Sequence, residues 1–288
     1  DAGATADDNV DGNLTASTTI TSTVNPDAIS DYEVRYNVTD SSGNAAIEVV
    51  RVVLVRDTIA PVITLIGSAT ITHEAKTPYT DEGATAFDSF ENNITGSITT
   101  ASTVNVNILG TYEVRYNVSD SSGNAAEEII RIVNVVDTTA PVITLTGAST
   151  TTTEAGVPYV DAGAGATDNV DDDTTITNAI LATSTVNVNV IGDYEVRYNV
   201  TDSSNNPAVE VVRIVQVRDS IAPAITLTGS STVTTEFNQS YPDAGANVAD
   251  SFDPAPVLTS TSTVNTNALG TYFVTYNATD ASGNIATS

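Results

Sequence analysis

DYEVRYNVTD, at Asp31–Asp40, decides the fold of this chain. Tyr32, Val34, Tyr36 and Val38 alternate with Glu33, Arg35, Asn37 and Thr39. A period of two with one apolar and one wet face is that of a half-buried β-strand. The segment returns as TYEVRYNVSD, DYEVRYNVTD and TYFVTYNATD, led by Tyr112, Tyr194 and Tyr272. The separations are 112−32 = 80, 194−112 = 82 and 272−194 = 78 residues.

Two further landmarks keep the same order and nearly the same period. APVITL or APAITL places Pro61, Pro141 and Pro223, and Asp-x-Gly-Ala begins at Asp1, Asp81, Asp161 and Asp243. Three landmarks in register establish a tandem repeat. Asp-[Thr/Ser]-x-Ala-Pro segments at Asp57, Asp137 and Asp219 read as short linkers stiffened by proline. The expected units are 1–56, lacking its first strands, then 57–136, 137–218, and 219–288, lacking most of its last strand.

After the tyrosine strand comes Ser41-Ser42-Gly43-Asn44, a turn rich in residues that tolerate positive φ. A β-branched run, Ile47 to Val55, follows, with Arg51 in phase with Ile47 and Val49. A bulge is expected to turn that arginine out of the apolar face. No stretch has a helical period. The fold class expected is all-β: seven-strand sandwiches, one per repeat of about 80 residues, in an elongated array.

Composition narrows the function. Nine Lys+Arg stand against 36 Asp+Glu, a formal net charge of −27. Such a surface repels nucleic acid and anionic membranes and attracts cations. There is no cysteine, so no disulfide holds the units, and no run is long and apolar enough for membrane insertion in this segment. Without a leading Met and opening in mid-repeat, the segment reads as internal to, or processed from, something longer.

The order Pro-x-Ile-Thr-Leu-x-Gly, Tyr-x-Asp-x-Gly-Ala, then Gly-x-Tyr-x-Val-x-Tyr-Asn-x-[Thr/Ser]-Asp-x-Ser-Gly-Asn and a Val-rich strand ending in Asp resembles the bacterial surface-protein immunoglobulin-like repeats found in tandem in large adhesins. It is more distantly similar to hyalin-type repeats and cadherin-like domains. The resemblance covers essentially the whole chain. It implies an immunoglobulin-like sandwich, an extracellular location and a spacer or adhesion role, and no particular ligand. One departure is Asn205, which stands where the other repeats carry a turn glycine; asparagine is the next residue suited to a left-handed turn.

An acidic trio recurs with spacing seven then three: Asp1, Asp8, Asp11; Asp81, Asp88, Glu91; Asp161, Asp168, Asp171; Asp243, Asp250, Asp253. Asp40, Asp120, Asp202 and Asp280 end the tyrosine strands, and Asp57, Asp137 and Asp219 sit in the linkers. Immunoglobulin topology gathers Asp137 with Asp168, Asp171, Asp202 and Asn206. It leaves Asp161 one strand away, facing the next linker at Asp219. Each junction then collects one carboxylate from the preceding unit, one from the linker and several from the following unit. Such hard oxygens suit calcium. The competing expectation is that these are solvated turn residues, since Asp before Gly caps turns through its own side chain.

Little else suggests chemistry. His73 is the only histidine, replaced by Thr153 and Thr235 in later repeats, so zinc lacks ligands. The carboxylates recur in every unit, whereas an active site is normally singular, so the chain is expected not to be an enzyme. Asn37, Asn117, Asn199 and Asn277 open sequons on the wet strand face, whose glycosylation depends on the host. Two roles remain: an extracellular structural or adhesive spacer in a cell-surface or secreted protein, or a filament subunit whose incomplete end units exchange strands with identical chains. The partners are neighbouring repeats or identical chains and an unknown surface ligand.

Overall fold

The computed structural model describes residues 1–287. The chain divides into two compact units, Asp1–Val136 and Asp137–Ser288.

Within the first unit, the second repeat holds seven strands in two sheets. Four strands lie in the order Thr99–Ser102, Gly110–Asn117, Ile129–Val136, Thr70–Glu74. Three lie in the order Val62–Leu65, Ala84–Asp88, Asn92–Asn93. All pairs are antiparallel except the one joining Thr70–Glu74 to Ile129–Val136, which is parallel with Ile132 opposite Thr70 and Val136 opposite Glu74. The first repeat contributes a three-stranded sheet, Thr19–Ser22, Ser30–Asn37 and Val49–Val55, and a two-residue ladder of Asp7–Asp8 with Gly12–Asn13.

Within the second unit, the third repeat repeats the four-stranded sheet as Leu181–Ser184, Gly192–Asn199, Val211–Arg218 and Thr150–Glu154, the last pair again parallel. Val142–Leu145 pairs with Ala164–Thr167 opposite it. The fourth repeat sets Val257–Ser262, Val274–Thr279 and Ile285–Thr287 in one sheet, and pairs Ala224–Leu227 with Ala246–Ala249 in another.

The tyrosine strand organises each core. In the second repeat Val114, Tyr116 and Val118 are buried with Val133 and Val135 from the neighbouring strand. Ile63, Ala84, Ala86 and Ile94, in or beside the three-stranded sheet, are buried as well. In the third repeat Val196, Tyr198, Val200 and Val215 pack with Ile143, Ala166 and Ile176. The leading tyrosine closes a corner: Tyr112 donates to the carbonyl of Ile108 at 2.8 Å, and Tyr194 to that of Val190 at 2.8 Å. Tyr32 and Tyr272 do the same to Ala28 and Ala268, each at 2.9 Å. A tyrosine hydroxyl reaching back a few residues at the entry to its strand is a mark of the immunoglobulin sandwich.

Two expectations are corrected. A helix does form, Asp173–Asn178 in the third repeat. Asp168 and Thr177 are nine residues apart where Asp88 and Thr95 are seven apart, so two extra residues must be accommodated. Asp172 caps the result, accepting from the amides of Thr174 at 3.0 Å and Thr175 at 3.1 Å, while Ile176 faces the core. The second correction concerns the arginine in the β-branched run. Its strand pairs without interruption, Tyr36 opposite Val49 through Ser30 opposite Val55 in the first repeat, and Tyr116 opposite Ile129 through Gly110 opposite Val135 in the second. No bulge turns the side chain outward. Arg131 and Arg213 are buried, and acceptors waiting inside the sandwich make that tolerable.

Candidate functional site

Three groups of carboxylates stand out. Asp57, Asp88 and Asp120 form one; Asp137, Asp168, Asp171 and Asp202 a second; Asp219, Asp250 and Asp280 a third. Within each group, one oxygen from every residue lies within 4.8 Å of the others. Each group lies inside one compact unit and combines a linker residue, the turn after a strand of the smaller sheet, and the hairpin after the tyrosine strand.

Local bonding explains why these residues hold their positions. Asp88 Oδ1 accepts from the amides of Phe90 at 2.7 Å and Glu91 at 2.9 Å, folding the turn that follows its strand. Asp168 and Asp250 fold the corresponding turns with Val170 and Asp171, and with Phe252 and Asp253. Asp120 Oδ1 accepts from the amide of Asn124 at 2.7 Å, and its Oδ2 from the Asn124 side chain at 2.7 Å. Burial opposes the Asp120 charge, but these bonds outweigh it and hold its carboxyl below the usual range. The Asn124 amide also donates to the carbonyl of Asp57 at 3.3 Å, tying linker to hairpin. Asn206 and Asn284 make the same tie to Asp137 and Asp219, each at 3.2 Å.

The remaining oxygens are different. Oδ2 of Asp57, Asp88, Asp137, Asp168 and Asp250, and Oδ1 of Asp219, are shut off from solvent and have no hydrogen-bond partner. Asp88 is only 1% exposed. An unmet buried acceptor costs about 1–3 kcal/mol, and more when charged. Burial, with the neighbouring charges of Asp168 and Asp202 adding to it, pushes the Asp137 carboxyl above its ordinary value. Among the described residues no arginine or lysine pairs with any carboxylate of the three groups.

Four residues expected at these sites have other duties. Asp81 and Asp161 stay outside the groups because the buried arginine claims them. Arg131 donates to Asp81 Oδ2 at 2.6 Å, to the carbonyls of Ser68 at 3.0 Å and Gly83 at 3.2 Å, to the carbonyl of Ile66, and to the Tyr116 hydroxyl at 3.3 Å. Asp81 also accepts from the Tyr79 hydroxyl at 2.7 Å, the Gly83 amide at 2.8 Å and the Tyr116 hydroxyl. Burial alone would raise the Asp81 carboxyl; donation from Tyr116, Tyr79, Arg131 and Gly83 outweighs it and holds the group at about 2. In the third repeat Arg213, Tyr198, Tyr159 and the Gly163 amide surround Asp161 in the same way. Asp161 therefore offers nothing to the linker at Asp219. It is Glu154 that reaches there, accepting from the amide and hydroxyl of Ser220 at 2.9 and 2.7 Å.

Glu91 and Asp253 lie beside the groups without joining them. Glu91 accepts from the Ser121 amide at 2.8 Å, and Asp253 from the Ala281 amide at 2.8 Å, each bracing the hairpin. In the first repeat Asp11 plays this part with Ser41, Asp8 and Asp40 fold their own turns, and Asp1 pairs with Arg51 and Tyr36. Asp243 accepts from Tyr276 and, at 3.3 Å, from Tyr241. The arginine lock was missed from sequence, although its signal was present: an arginine recurs in phase with the apolar face, and Asp-x-Gly-Ala recurs with it. The sequon asparagines Asn37, Asn117 and Asn199 each donate their side-chain amide to the glutamate just before the next strand, Glu48, Glu128 and Glu210. His73 bonds Thr77 and meets the Tyr79 ring edge-on at 5.2 Å.

Comparison with known proteins locates this architecture. The family described as bacterial surface protein, Ig-like domain, matches four times, at residues 1–55, 63–135, 143–217 and 225–288. An uncharacterized 81.3 kDa protein of Acholeplasma phage L2 is 29% identical over 220 residues, covering 72% of this chain and 29% of that protein. Hyalin of Strongylocentrotus purpuratus is 32% identical over 282 residues, covering 88% of this chain and 22% of hyalin. The chain thus spans less than a third of either relative. Among solved structures, the M60 catalytic domain with CBM51-1 and CBM51-2 of Clostridium perfringens ZmpB is similar with a TM-score of 0.35 at 13% identity, over 90% of this chain and 42% of that one. The lipoprotein BT2262 of Bacteroides thetaiotaomicron gives 0.26 at 15% identity, over 79% and 96%. Both scores are too low for either likeness to bear on function.

Proposed function

Because the chain belongs to the family of bacterial surface proteins with Ig-like domains, we propose that it is a load-bearing spacer in a cell-surface or secreted protein. One observation carries the reading. In the second repeat the strand Thr70–Glu74 runs parallel to the last strand, Ile129–Val136, and in the third Thr150–Glu154 runs parallel to Val211–Arg218. Tension applied through the two ends of a repeat pulls such a pair in opposite directions along its own axis. Its ladder bonds are then loaded together in shear and resist as a set, where an antiparallel hairpin would open one bond at a time. The buried Arg131 and Arg213 add a charge-assisted tie from that same last strand to the loops that flank strands of the smaller sheet. The repetition of one such module, with a short proline-stiffened linker, suits transmission of force over distance.

Pulling the chain by its ends in a single-molecule force instrument tests the proposal. The second and third repeats are expected to yield in separate, abrupt steps, each lengthening the chain toward an extended contour of roughly 260–290 Å for about 80 residues, less the span of the folded repeat. Smooth extension without discrete steps would overturn the load-bearing role.

A further inference from the structure

We propose that each of the three aspartate groups binds one divalent cation of calcium's size. The groups are Asp57/Asp88/Asp120, Asp137/Asp168/Asp171/Asp202 and Asp219/Asp250/Asp280. This inference is independent of the spacer role.

The argument turns on a division of labour within single carboxylates. Had these aspartates served only to cap turns, one oxygen of each would accept from the backbone and the other would face water. The first half holds: Oδ1 of Asp88, Asp168 and Asp250 each accepts two backbone amides. The second half fails: their Oδ2 atoms are buried and have no donor. The linker residues Asp57, Asp137 and Asp219 each bury one oxygen in the same partnerless state. Two unmet oxygens per group therefore come from different parts of the chain, and the hairpin aspartate, itself held in place by Asn124, Asn206 or Asn284, completes the set. Six unmet oxygens in three copies of one arrangement indicate a missing positive partner.

The chemistry of the donors selects the cation. All are carboxylate oxygens, with no histidine or cysteine among them, which suits a hard ion and not zinc. Atoms on a coordination shell of about 2.4 Å radius lie no more than about 4.8 Å apart, and the atoms of each group lie within 4.8 Å of one another. Three or four carboxylate oxygens, one from each residue, with water filling the remainder, meet the six to eight oxygens that calcium takes. Magnesium would demand a tighter octahedron and surrender its water less readily. The fourth carboxylate of the third repeat, Asp171, makes that group the most negative of the three. So held, the ion fastens each linker residue to the body of the repeat it leads into.

Titration calorimetry of the chain with calcium chloride tests this. Saturation near three equivalents is expected, with dissociation constants of about 10⁻⁴–10⁻³ M, as in extracellular calcium modules. At calcium ten times the dissociation constant, each site should multiply its repeat's folded-to-unfolded ratio by about elevenfold. Asp88→Asn, Asp168→Asn and Asp250→Asn keep the turn-forming oxygen and should each remove one equivalent; the triple variant should remove all three and the stabilisation with them. In chelator the triple variant should melt no lower than the unaltered chain, because it loses an unpaired buried charge in each repeat. If a variant is unfolded by circular dichroism, the unaltered chain decides alone. Saturable binding that an equal concentration of magnesium does not displace supports the sites. Binding that never saturates, that persists in a folded triple variant, or that magnesium matches would overturn the proposal. So would a melting curve indifferent to calcium and chelator, which would leave shared protons as the answer to the unmet oxygens.

Discussion

Replacing Arg131 with methionine isolates the tie that closes the second repeat. Methionine keeps most of the apolar volume of the side chain while removing all five donated bonds. The carboxylate it abandons is not stranded, because Asp81 keeps the Tyr79, Tyr116 and Gly83 donors. Gly83 O keeps the amide of Ile66 at 3.0 Å. The Ser68 and Ile66 carbonyls lose their arginine donor, and the Asp81 charge loses its counter-ion. Because Asp81 is 20% exposed and keeps three donors, no buried charge is left uncompensated, and the cost is that of the lost donors, about 1–3 kcal/mol. The arginine of the first repeat provides an internal comparison. Arg51 pairs with Asp1 in the same way, but its side chain is 41% exposed, so Arg51→Met should cost less than about 1 kcal/mol. Peptide-resolved hydrogen exchange reads both effects within one chain. In Arg131→Met the amides of Ile129–Val136 should lose roughly one to two powers of ten in protection while Val211–Arg218 is unchanged. Adding Asp81→Asn should then cost little more, since the two residues act as one unit. Arg131→Met within about 0.5 kcal/mol of the parent would refute the reasoning, and would mean that apolar packing alone closes the sandwich.

Two further outcomes follow from the same contacts. Asp81 sits at about 2, below its ordinary 3.8, so its contribution is present in full above the unfolded value and disappears as pH falls toward 2. Discounted for partial solvent access, this is about 1–2 kcal/mol, visible as acid destabilisation of the second repeat between roughly pH 5 and pH 2 and flattened in Asp81→Asn. Asn205 holds a left-handed φ of 72° where the corresponding Gly123 has 91°. In urea melts Asn205→Ala should destabilise the third repeat by about 1 kcal/mol, and Asn205→Gly should be neutral or slightly stabilising.

The sequence by itself determined the repeat and the tyrosine strand with its wet face. A period-two pattern requires only local geometry, and its recurrence at Tyr32, Tyr112, Tyr194 and Tyr272 fixes the module without any knowledge of packing. It also placed linker, turn and hairpin aspartates near one another, because sandwich topology brings those loops to one end. Tertiary structure decided how individual carboxylates are used. Asp81 and Asp88 look alike in sequence, yet one neutralises a buried arginine and the other holds a solvent-free oxygen without a donor. That difference arises from Tyr116 and Arg131, 35 and 50 positions further along the chain, meeting Asp81 from the other sheet. Arg131 shows the same limit: polarity along a strand says that arginine belongs outside, and only the acceptors converging from Ile66, Ser68, Asp81 and Gly83 make the interior the better place for it.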